Sequence, residues 1–104
     1  MTFVQIHEHG LPATSERIGT REFLDLTGLS EDMLLELVRM EWIVPSTTAQ
    51  QEYLFVRMDV LRGRKYRRLC ADFELSPVAG IIIVDLLERI EHLEERLRDL
   101  PIRR

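Results

Sequence analysis

Three groupings in this 104-residue chain hold side chains capable of chemistry: His7 and His9, the lone thiol of Cys70 beside Arg67 and Arg68, and the paired acids Glu31-Asp32 and Glu94-Glu95. None makes a catalytic constellation. His7-Glu8-His9 offers two metal-ligand side chains, but in a segment with Gly10, Pro12 and Ser15, which reads as a loop, such a pair is most simply solvated. Cationic neighbours lower a thiol's pKa, yet a single cysteine on an amphipathic helix is most simply a small core residue. The paired acids read as solvated faces and His92 as a surface residue. No phosphate loop and no nucleophile with its base is present. The chain therefore reads as a non-enzyme, with no metal site and no cofactor.

Electrostatics is more informative. Residues 1–52 hold nine acids against three bases, residues 53–73 six bases against two acids, and the remainder seven acids against five bases, within a net charge of -4. The basic stretch contains Arg62, Arg64, Lys65, Arg67 and Arg68 around Tyr66. It is either a nucleic-acid patch or the outer side of a helix that pairs with acids elsewhere.

The elements that position these charges follow from local signals. Residues 2–6, TFVQI, read as a short strand and 7–15 as a loop. Thr20 is placed to cap a short helix bearing Phe23, Leu24 and Thr27, Gly28 supplies a tight turn, and Ser30 caps a second helix whose first residues are Glu31 and Asp32. Trp42-Ile43-Val44 run into Pro45, and Val44 with Tyr53-Leu54-Phe55 would form a two-stranded wing. A third helix is expected from Met58 or Asp59 to about Phe73, with Gly63 permitting close packing. Ser76-Pro77 starts a fourth, which can run to Leu100. On it Ile83, Leu86, Ile90, Leu93, Leu97 and Leu100 recur at intervals of three and four, a coiled-coil seam flanked by Arg89, Glu94 and Arg96. Such a stripe needs a partner, and a second copy of the chain is the simplest one.

The fold class is thus mainly α: an extension (1–19), a winged helix-turn-helix (20–75) and a dimerisation helix (76–104). The second helix has the outline of a DNA-reading helix without the reading side chains. Glu31, Asp32 and Glu36 oppose phosphates, and Met33 and Leu35 cannot make bidentate contacts with a base. No apolar run is long enough to span a membrane, no signal peptide is visible, and one cysteine allows no internal disulfide, so a cytoplasmic location is expected.

In order and spacing, Glu22-Phe23…Thr27-Gly28-Leu29-Ser30-Glu31…Glu36-Leu37-Val38, Trp42-Ile43-Val44-Pro45, Tyr53-Leu54-Phe55, Arg68-Leu69 and Ile90-Glu91-His92-Leu93…Leu97 resemble the MerR-like fold, and more closely its chaperone-modulator branch, the CbpM family. Transcriptional MerR proteins typically have an Arg-Tyr-Tyr triplet where this chain has Leu35, Glu36 and Leu37. The resemblance implies a homodimeric adaptor that binds the J-domain of a DnaJ/CbpA-like co-chaperone and limits its action on the Hsp70 chaperone DnaK. J-domains present a basic helix to Hsp70, which makes acidic Glu31, Asp32 and Glu36, with Met33 and Leu35 as anchors, the expected partner face. The alternatives are a DNA-binding regulator that uses the basic third helix and a dimerisation subunit of an unrelated complex.

Overall fold

Capping and turn residues decide where each helix of this chain begins and ends. A computed structural model of the protein describes residues 17–101; the expected strand at 2–6, the loop at 7–15 and the His7/His9 pair lie outside them. The elements are β1 (Ile18–Gly19), α1 (Thr20–Thr27), α2 (Glu31–Arg39), β2 (Ser46–Thr47), β3 (Tyr53–Phe55), α3 (Arg57–Phe73) and α4 (Pro77–Asp99).

Helix α1 starts one residue earlier than its sequence suggests, with Gly19 rather than Thr20 at the N-cap and no side-chain cap. It ends at Gly28, whose φ of 80° lets its N–H reach Leu24 O at 2.8 Å. The buried Thr27 hydroxyl donates to Phe23 O (2.8 Å) and accepts from Leu29 N (3.2 Å), which fixes the turn between the two helices. Ser30 then caps α2 by accepting from Met33 N at 3.2 Å.

Helix α2 closes in a Schellman turn. Trp42 N donates to Leu37 O and Glu41 N to Val38 O, both at 3.0 Å, with Glu41 in the left-handed conformation (φ 61°) where glycine is usual. This turn and Pro45, which has no N–H to donate, carry the chain past Val44 before pairing can begin. The first wing strand is therefore Ser46–Thr47, not Val44, and pairs Ser46 with Leu54 and Thr47 with Tyr53. A third strand, β1, joins on the other side with Ile18 opposite Phe55, so the antiparallel order is β1-β3-β2.

The core forms where the sheet and helices meet. The Phe23 and Phe55 rings stack 4.1 Å apart at an interplanar angle of 18° and tie α1 to β3. Helix α3 crosses both α1 and α4 through glycines. A Cβ on Gly63 would stand 3.0 Å from Thr27 Cγ2, and one on Gly80 would stand 2.6 Å from Cys70 Sγ and 2.9 Å from the Tyr66 ring. Gly80 thus sets how closely α4 can approach, and Cys70 is a packing residue at that crossing. The first half of α4 buries Gly80 and Val84, whereas every residue from Ile90 to Pro101 is exposed.

Candidate functional site

Helical phase divides the expected partner face on α2. Residues two apart on a helix lie on different sides, and Met33 and Leu35 do so here: Met33 packs against the core, while Leu35 is 49% exposed. Leu37 is fully buried. Core packing therefore accounts for two of the three apolar residues that a DNA-reading helix would not carry, and only Leu35 faces solvent. Glu31 and Asp32 are also exposed, and among the described residues neither forms an ion pair. Glu36, half-buried, pairs with Arg39 at 3.2 Å. Leu35 and Glu31 share one flank with Leu34, where they meet Thr20 and Tyr53 around a depression of about 290 Å³.

The basic cluster of α3 is largely engaged within the molecule. Arg62 lies with its guanidinium carbon 4.0 Å from the centre of the Trp42 ring. It donates to Trp42 O (2.9 Å) and Asp85 Oδ1 (3.1 Å), and its Nε stands 3.4 Å from Glu88 Oε2. Asp85 Oδ1 also accepts from Trp42 Nε1 at 2.8 Å, so one carboxylate joins the turn after α2, the middle of α3 and the first half of α4. Arg64 Nε donates to Leu26 O at 2.7 Å, and Lys65 pairs with Glu91 at 3.4 Å. Arg67 lies over Gly28 but remains exposed, as does Arg68. Within the cluster, Arg67 and Arg68 and in part Lys65 remain accessible to a phosphate.

Beneath the cluster, burial raises the Tyr66 hydroxyl pKa to about 12, with smaller contributions from the Cys70 thiol and the Glu36 carboxylate. It is a structural group, closed off by Trp42, whose ring centroid is 5.7 Å away, and by Gly80 of α4. Sequence reasoning did not anticipate the Trp42–Arg62–Asp85 cluster. A lone tryptophan after α2 and an acid within the apolar start of α4 were its only traces.

The α4 stripe presents one apolar face. Leu86, Ile90, Leu93, Leu97 and Leu100 are each between 49% and 68% exposed; Ile83 is half-buried, and exposed Ile82 extends the same side. Among the described residues no group of three or more His, Cys, Asp or Glu could hold a metal ion, and no helix is long and apolar enough to cross a membrane.

Comparison with known proteins agrees with this arrangement. A family model described as MerR HTH family regulatory protein matches residues 18–101. The chaperone modulatory protein CbpM of Coxiella burnetii, in strains Dugway 5J108-111 and RSA 331, is 31% identical over 72 residues, covering 69% of this chain and 68% of each relative. The match begins at β1 and runs through α4, so the helix-turn-helix, wing and long terminal helix are all family features. The chain belongs to the MerR helix-turn-helix family of regulatory proteins and, within it, to the CbpM type.

Proposed function

We propose that this protein is a non-catalytic chaperone modulator that binds the J-domain of a DnaJ/CbpA-like co-chaperone and limits its action on DnaK. One observation carries the reading: the α2 surface that would face DNA carries exposed Glu31, Asp32 and Leu35, while Arg62, Arg64 and Lys65, three of the six cations of α3, bond to other parts of the molecule. Acidic groups around an apolar side chain repel a polyanion and attract a basic helix. The name of its relatives, chaperone modulatory protein, supports the same class of activity. Glu31, Asp32, Leu35 and Glu36 form the face in this reading, and Met33 supports it from the core side.

The test is calorimetric titration of the full-length chain with a full-length J-domain co-chaperone from the same cell, together with the ATPase rate of DnaK. Micromolar binding and a lowered co-chaperone-stimulated rate are expected. No detectable heat at ~100 μM, weaker than functional transient contacts require, refutes the reading.

The exposed α4 stripe supports a second element of the proposal, a homodimer joined through Ile83, Leu86, Ile90, Leu93, Leu97 and Leu100. Soluble monomers seldom expose so continuous an apolar face. Sedimentation at tens of micromolar should show a dimer for the wild type and a monomer for Leu93→Asp. A monomeric wild type removes the dimer from the proposal.

A further inference from the structure

We propose that the concavity between α2 and the wing, centred on Tyr53, seats the apolar side chains of a cationic amphipathic helix. The inference rests on the J-domain reading above, and it extends the contact from Glu31 and Leu35 onto Val38, Glu41, Val44 and Tyr53, which that reading does not use. Spacing places Glu31, Leu34, Leu35 and Val38 on one face of α2, at steps of three, one and three. That face turns toward β3, and Tyr53 lies in two adjoining depressions along it. The first is the cavity of about 290 Å³ beside Leu35 and Glu31; the second, about 420 Å³, is lined by Val38, Glu41, Ile43, Val44, Pro45 and Tyr53. No Lys, Arg or His lines either one, whereas Glu31 and Glu41 stand at their edges.

Three features make this a docking groove for a basic helix. Val44 is 74% exposed, the largest value among the described large apolar side chains, and it is held there by the Schellman turn and Pro45 rather than by any packing of its own. The walls are pre-formed: Tyr53 meets Phe55 edge-on at 6.1 Å, and the Glu41 turn fixes the far side, so little ordering is required on binding. Two neighbouring depressions along a groove suit anchors one helical turn apart, and carboxylates at the edges select lysines or arginines beside those anchors. Nucleic acid is excluded by the same carboxylates.

Leu35→Lys and Val44→Lys test the groove, because both side chains are exposed and their replacement leaves the core intact. Each should raise the dissociation constant for the full-length co-chaperone at least tenfold, with a melting curve close to that of the wild type. Wild-type affinity in both variants, with the wild type itself binding, overturns the groove and leaves the J-domain reading standing. Absence of wild-type binding overturns both. A variant that unfolds is replaced by a photo-crosslinking side chain at position 44, which should capture the co-chaperone whereas the same probe at position 93 should not; capture at 93 alone rejects the groove. Conversion of a dimer to a monomer by Val44→Lys would show that a second copy fills the groove, which also overturns the proposal.

Discussion

Helices α2 and α3 carry opposite charge and put it to opposite use. Along α3 half of the cations are drawn inward or across to neighbouring elements: Arg62 onto Trp42 and Asp85, Arg64 onto the Leu26 carbonyl, Lys65 onto Glu91. At the start of α2, Glu31 and Asp32 face solvent, and their only evident internal role is to complement the N-terminal end of the helix. The denser run of charge in the sequence is thus partly engaged inside the fold, with Arg67 and Arg68 left exposed. Charge density locates a surface only after its partners are known.

The sharpest way to break this comparison is Arg62→Ala. It removes a ring contact, a part-buried hydrogen bond to the Trp42 carbonyl and a shared ion pair with half-exposed Asp85, and should destabilise the protein by about 3 kcal/mol in denaturant titration, given ~1 kcal/mol for the ring contact, ~1.5 kcal/mol for the charged hydrogen bond and ~0.5 kcal/mol for the screened ion pair. Co-chaperone affinity per folded molecule should not change. Unaltered stability with weakened binding would reverse the roles assigned to α2 and α3.

A pH titration probes the same region with a smaller effect. The Tyr66 pKa is raised to about 12 from an unfolded value near 10, so its contribution is fully present below pH ~10. Above that the unfolded chain releases the proton first, and stability should fall by up to about 1.4 kcal/mol per pH unit until pH ~12. Tyr66→Phe should flatten this slope, and an identical slope in that variant would mean that the hydroxyl is not held as described.

Reversal of the α2 charges has the least effect on the fold and is read in kinetics. Glu31→Lys with Asp32→Lys should reduce the association rate with the co-chaperone by about tenfold at low salt and less at high salt, because exposed charge steers encounter. The dissociation rate should move little. A rate independent of both charge and salt would remove the electrostatic half of the contrast.

Local grammar made much of the fold legible. Gly28, the Ser30 cap and the Ser76-Pro77 start each act within four residues, and each appears where the sequence places it. The wing shifted because the turn after α2 depends on Glu41 adopting a conformation that glutamate rarely takes. Strand β1, two residues long, exists only because Ile18 lies opposite Phe55, a pairing that no local pattern announces. The site was less legible for two reasons. The phase of Met33 and Leu35 can be read from helical spacing, but which flank faces the core depends on where α2 packs. The bonds of Arg62 and Trp42 to Asp85 join residues 23 and 43 positions apart, and no local pattern pairs them.

Trp42 is the only tryptophan in the chain, and its indole is held between the Arg62 guanidinium, the Tyr66 ring and the Asp85 carboxylate. Its fluorescence is therefore a built-in gauge of whether α4 is seated on α3. Undocking of α4 would release the indole N–H to water and shift emission to longer wavelength, even with α1, α2 and the wing unchanged. Because the indole lines neither depression beside Tyr53, a ligand there would leave the signal in place, so one optical channel can report assembly of the body separately from occupation of its surface.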